Sequence, residues 1–217
     1  MSILLYCVAA KSGLPQAGTG VAGLPVLCSE CDNAVAFYSK GVSAEAWAGA
    51  PLRESARQFH RVLQRIFENK AIIPFRFPTL MENDEELAAH LRENLTSYSE
   101  LLQRFHNSAQ MEAVISYSDA SRPSAAISSG TEYLRAKQER SEKLQSVVAQ
   151  LQRLAGGIVG EWRDRSIQNT VRAFALLDRG SVPEFKDKLR AFAVPAGLTV
   201  RVTGPWPVTE FSNVNQG

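Results

Sequence analysis

Several things are missing from this chain of 217 residues. No stretch is apolar for the ~20 residues that a membrane-spanning helix needs. The one short apolar run, residues 3–10, has no basic region before it and meets Lys11 directly, so it reads as a first β-strand rather than the core of a signal peptide. Cysteine is scarce. Cys7, Cys28 and Cys31 make an odd count that suits a reducing compartment better than a disulfide framework, which implies a cytoplasmic location. Charge of one sign is lacking too: 24 Lys and Arg stand against 22 Asp and Glu, interspersed, for a net +2. No part of the sequence is plainly built for a phosphate backbone, so neither nucleic acid nor membrane is expected as a partner.

Catalytic signatures are also missing. The sequence holds no Gly-x-Ser-x-Gly elbow, phosphate-binding P-loop or His-Glu-x-x-His zinc motif. His60, His90 and His106 fall in helix-like stretches without a neighbouring nucleophile or orienting carboxylate. No catalytic residue, metal ligand or cofactor site is assigned, and the expectation is a protein that is not an enzyme.

What is present is an ordinary globular composition, with 45% hydrophobic and 21% charged residues. That is enough apolar surface for a real core, in one large domain or two small ones. Short strands are expected over 24–30 and 34–40, joined by the turn signal Asp32-Asn33. An amphipathic helix follows over 52–69, with Phe59, Val62, Leu63, Ile66 and Phe67 at three-four spacing and Pro51 early in it. Strand character returns over 72–80. A second helix runs from an Asn83-Asp84 cap to about 106, with Glu85 and Glu86 in its first turn. The second half reads strand (111–117), loop (118–129), long helix (131–165), strand (171–178), helix (182–193), strand (198–203). That order suits an α+β fold of two small domains, 1–108 and 109–217, the C-terminal one ferredoxin-like with its helices on one face.

The long helix carries an apolar seam. Leu134, Lys137, Ser141, Leu144, Val148, Leu151, Ala155, Ile158 and Trp162 follow each other by threes and fours, as in a coiled coil. At ~1.5 Å per residue it would be about 50 Å long, longer than a small domain can cover, so one end is expected to project and seek a partner; the alternative is a core helix that bends or breaks at Gly156-Gly157. Leu144, Val148 and Leu151 are taken as candidate partner contacts.

Two tempting motifs lack their context. Gly18-Thr19-Gly20-Val21-Ala22-Gly23 spells G-x-G-x-x-G, but a strand-like Leu24-Pro25-Val26 follows where a dinucleotide site needs a helix. Cys28-Ser29-Glu30-Cys31 is a lone C-x-x-C, short of the four ligands of a structural zinc site. It leaves a thiol- or metal-dependent enzyme as one alternative, and a self-assembling module pairing through the long helix as another. Two other stretches carry more. In Ile72-Ile73-Pro74-Phe75-Arg76-Phe77-Pro78-Thr79, a single arginine sits between aromatics, either seeking a partner or facing water while the rings pack inward. In Gly204-Pro205-Trp206-Pro207 followed by Phe211, prolines hold an extended backbone around Trp206, as a clamp across a sheet or as an interface anchor. Arg76 and Trp206 complete the candidate partner-binding set.

These stretches resemble the GvpF/GvpL gas vesicle proteins over nearly the whole chain. Ile73-Pro74-Phe75-Arg76-Phe77 is similar to the family's hydrophobic-Pro-hydrophobic-Arg-Phe segment, and Phe59-His60-Arg61-Val62-Leu63 to its His-containing helix. Gly130-Thr131-Glu132-Tyr133-Leu134-Arg135-Ala136-Lys137 resembles its Gly-x-x-Tyr-Leu-x-x-Lys helix start, and Gly204-Pro205-Trp206-Pro207 its Gly-Pro-Trp-Pro ending. The resemblance implies a cytoplasmic assembly factor or minor component of the gas vesicle. It implies two α+β domains with a coiled-coil extension, and contacts to the shell protein GvpA and other accessory proteins. It transfers no active site.

Overall fold

The computed structural model describes residues 2–11, 18–42, 50–118, 130–167 and 169–212. Pro15, most of the loop expected over 118–129 and the polar end of the tail lie outside the described residues. The chain divides into two compact units, Met1–Ser108 with Trp206–Gly217, and Ala109–Pro205. The tail therefore corrects the simple division into 1–108 and 109–217. From Trp206 onward it belongs with the first unit, and its apolar Val208 and Phe211 are buried.

The first unit is built on one sheet. Its strands are β1 (Ile3–Ala10), β2 (Leu27–Cys31), β3 (Ala34–Lys40), β4 (Ile72–Pro74) and β5 (Leu80–Met81), and its helices are α1 (Ala50–Phe67) and α2 (Asp84–Arg104). The strand order is β2-β3-β1-β4, with β5 also paired to β1. The apolar run of β1 is explained by its central place, since every residue from Ile3 to Ala9 is buried. Ile3, Leu5 and Val8 join Ala34, Ala36 and Tyr38 in a core with Leu87, Leu91, Tyr98 and Leu102 of α2. A register shift between Leu5 and Cys7 leaves Tyr6 as a bulge residue. Its ring lies 5.0 Å from that of Phe59 on α1, beside which Val62, Leu63 and Ile66 are also buried. The sheet thus carries α2 against one face and α1 against the other. α2 starts as its sequence dictates: the Asn83 side chain accepts from the Glu86 backbone N–H at 2.9 Å, and Asp84, Glu85 and Glu86 sit at the positive end of the helix.

The strand expected over 72–80 is two short strands. Pro74 pairs with Cys7 and Leu80 with Leu4, so five residues of the edge, 75–79, stand opposite only Leu5 and Tyr6. The surplus bulges outward. Phe75 N–H donates to the Tyr6 carbonyl (2.9 Å) and Leu5 N–H to that of Thr79 (3.0 Å), which pins both feet of the bulge to β1.

The second unit runs β6 (Ser108–Tyr117), α3 (Gly130–Leu154), β7 (Val159–Ile167), β8 (Thr170–Asp178), α4 (Val182–Arg190) and β9 (Leu198–Trp206). Its sheet order is β7-β8-β6-β9. α3 packs on β8 and on α4. The rings of Trp162 and Phe185 lie 6.1 Å apart. The helix expected over 131–165 ends at Leu154, and a turn with Gly157 at φ 87° leads straight into β7. A left-handed residue is the ordinary way to stop a helix, and glycine takes it without strain. Trp162, the last position of the expected seam, therefore lies on a strand.

Candidate partner-binding surface

The five candidate contact residues separate on burial. Leu144 and Val148 are each 2% exposed and Leu151 0%, so they form the core of the second unit rather than a surface. The seam is divided along α3. From Gly130 to Lys143 no described side chain is buried, and Leu134 is 64% exposed. That is about 21 Å of helix beyond its own packed core. The Tyr117 hydroxyl, donating to the Arg140 carbonyl at 3.3 Å, ties the helix near the point where burial begins.

Arg76 stands on the bulge and is exposed. Its aromatic neighbours turn to opposite faces of the sheet. Phe75 meets His90 and Tyr98 of α2, with ring centroids 5.8 and 6.4 Å away, while Phe77 meets Phe59 of α1 at 5.2 Å. The Thr79 hydroxyl closes the turn on the Arg76 carbonyl at 2.7 Å. Gripped on both sides, the loop offers its guanidinium outward. Beneath it the His90 Nε2 and Tyr98 hydroxyl are 2.7 Å apart. Burial pushes the Tyr98 hydroxyl up to about 12 and holds His90 below its ordinary value, against the smaller opposing pull of Glu93 and Glu86.

Trp206 is half-buried, its indole 5.1 Å from the His60 ring of α1. The tail behind it is a clamp on the first unit: Val208 is 4% and Phe211 1% exposed, and the Ser212 hydroxyl lies 3.2 Å from the Val208 carbonyl. Phe59 and His60, consecutive residues of α1, thus receive the bulge and the tail. Surrounding protein also lowers the His60 pKa, although its surface is largely in water.

The outward face of α1 is the part that the sequence reading missed. Arg53, Arg57, Arg61 and Arg65 recur every four residues, and only Glu54 offsets them within the helix. At 3.6 residues per turn they form a stripe opposite Phe59, Val62 and Ile66. A count of four-residue spacings among charged positions, as was made for apolar ones, reveals it. Glu54 reaches Arg57 at 3.6 Å and Arg61 at 3.2 Å. Ala56, Arg57, His60 and Arg61 line a shallow hollow of about 410 Å³. α2, on the other side of the sheet, carries five acids and two arginines.

The remaining sequence motifs fall on a short turn and on an edge strand. Residues 21–23 form one short 3-10 turn, not the start of a helix. The Tyr6 hydroxyl accepts from Val21 N–H (3.0 Å) and bonds the Ser39 hydroxyl (3.0 Å), which donates to the Pro25 carbonyl (2.9 Å). A Cβ on Gly20 would lie 2.3 Å from that tyrosine oxygen, which explains the glycine. Cys28 and Cys31 lie three apart on β2, where side chains alternate between faces. Cys28 is exposed, while Cys31 packs against the α2-side core. Among the described residues, no three His, Cys, Asp or Glu side chains come together as metal ligands. No described helix is long and apolar enough to cross a membrane.

The family model described as gas vesicle synthesis protein GvpL/GvpF matches residues 2–213. The crystal structure of the gas vesicle protein GvpF from Anabaena sp. PCC7120 is similar with a TM-score of 0.76 at 15% identity, over 98% of this chain and 96% of that one. That of GvpF from Microcystis aeruginosa gives 0.72 at 16% identity, over 93% and 94%. At such identities the likeness is one of fold. No curated protein matches the chain.

Proposed function

The chain belongs to the GvpL/GvpF family of gas vesicle synthesis proteins, and from that premise we propose that it is a binding and assembly factor that engages the shell protein GvpA and other accessory proteins as vesicles form. The observation that carries this reading is the match over residues 2–213, which spans both units. Its place of action is then the cytoplasm and the growing vesicle. We read the second unit as ferredoxin-like, with the free end of α3 as its extension. The element order β6-α3-β7-β8-α4-β9 and the sheet order β7-β8-β6-β9 support this.

The physical task is to keep a small apolar shell subunit from aggregating before it polymerises. A partner does this by covering an apolar surface or an open strand edge. Arg76 on its braced bulge, Trp206 and the exposed start of α3 are the surfaces offered. The test is to express GvpA alone and with this chain, and to measure how it divides between soluble and aggregated fractions. A severalfold rise in soluble GvpA supports the reading. An unchanged division, with this chain folded and abundant, counts against it.

A further inference from the structure

The arginine face of α1 has features that an ordinary solvated helix face lacks. Its charge is one-signed: four arginines against one glutamate, in a chain whose net charge is only +2. The Arg57 and Arg61 side chains are 72% and 65% exposed, Arg53 is exposed as well, and Arg65 is half-buried. The stripe also borders a hollow. The small Ala56 leaves a depression among Arg57, His60 and Arg61, and the Trp206 indole lies against His60. Arginine lining a hollow, with a tryptophan against its His60, is the composition of interface anchors. Glu54, seated between Arg57 and Arg61, shows that this face holds a carboxylate across two guanidiniums. Each guanidinium has five N–H donors, so Arg57 and Arg61 can donate to further acceptors beside Glu54.

We propose that this face of α1 docks an acidic, amphipathic segment of a partner protein, with carboxylates on Arg53, Arg57 and Arg61 and an apolar side chain in the hollow beside Trp206. The inference rests on the assembly-factor reading and names the chemistry of one partner. Charge complementarity selects the occupant. The arginines recur about 6 Å apart along the helix axis, which is the repeat of glutamates at i and i+4 on another helix. Planar forks on both sides of a carboxylate favour bidentate pairing. The hollow gives specificity that charge alone does not.

The probe is a fluorescein-labelled amphipathic peptide of about the length of α1, with Glu at every fourth position and Leu along the margin, titrated against the full chain at low salt. Its control is the same peptide with Gln for Glu. Binding by the Glu peptide and none by the Gln peptide is expected. Affinity should fall tenfold or more in R53E/R57E/R61E, and also in Trp206→Ala, with far-ultraviolet circular dichroism unchanged. The R92E/R104E variant of α2 should bind as the wild type does. Poly(U) RNA that binds the stripe as tightly as the peptide would reassign it to phosphate and overturn the proposal. So would absence of peptide binding, or binding indifferent to the triple variant. Self-association lost in both R53E/R57E/R61E and E86K/E93K/E100K, with no peptide binding, would assign the face to a second copy instead. None of these readouts uses the shell protein, so failure here and failure to solubilise GvpA are separate results.

Discussion

α1 and α3 are both long amphipathic helices packed on the sheet of their own unit, and they spend their two faces differently. α3 carries the seam that looks made for a partner, yet Leu144, Val148 and Leu151 are consumed by its own unit, and only its first half is left in water. α1 hides an equally regular apolar face under the sheet and turns an arginine stripe outward. An apolar period therefore reports that a face is buried without reporting by what. The composition of the opposite face is the better guide to a partner.

Substitutions in the two inner faces should have the largest effects. Phe59→Ala on α1 and Leu151→Ala on α3 should each lower unfolding stability in urea by about 3–5 and 2–5 kcal/mol, as large-to-small core changes do. A loss below about 1 kcal/mol at Leu151 would return that residue to the surface. Next in size is Gly20→Ala, which sets a methyl carbon against the Tyr6 hydroxyl that organises the loop beside α1. It should cost about 1–3 kcal/mol, and Tyr6→Phe in the same background should recover part of it.

A smaller effect depends on pH. His60 and His90 have folded pKa values below the ordinary ~6.5. The folded state then binds fewer protons than the unfolded one, so their contribution is full above that pH and fades as the pH falls through the depressed values. The urea midpoint should decline on acidification below about pH 6.5. His90→Gln should flatten the decline, and an unchanged profile in that variant would remove His90 as a source. Smallest are the outer faces. Leu134→Ala and Arg57→Glu should shift stability by no more than about 0.5 kcal/mol, measured in the same titration. A larger change at Leu134 would mean that the start of α3 is packed.

Much of the fold was legible because local signals agreed with the tertiary outcome. Asn83 caps α2, the apolar run of β1 is a central strand, and the spacing of Phe59 to Phe67 buries one side of α1. The failures share a cause: local pattern does not record where a chain turns. α3 ends at Leu154 and the chain turns through Gly156-Gly157, after which Ile158 in the turn and Trp162 on β7 continue the same three-four spacing by coincidence. The strand over 72–80 has the right residues but holds three more than its partner segment can pair, and the excess becomes the bulge that presents Arg76. Of the candidate contacts, Arg76 and Trp206 carried non-repeating chemistry and remain at the surface. The seam residues carried only hydrophobicity, and the core took them. The stripe of α1 escaped notice because the chain-wide balance of 24 against 22 conceals a local excess.

Binding of the vesicle shell protein is what we propose for this chain. The most direct measurement is a pull-down of the tagged, purified chain against co-expressed GvpA, with a shell-free control and a wash at moderate salt. Specific retention of GvpA, reduced in Arg76→Glu while that variant keeps its stability, is the predicted result. GvpA that is soluble, available and not retained would contradict it.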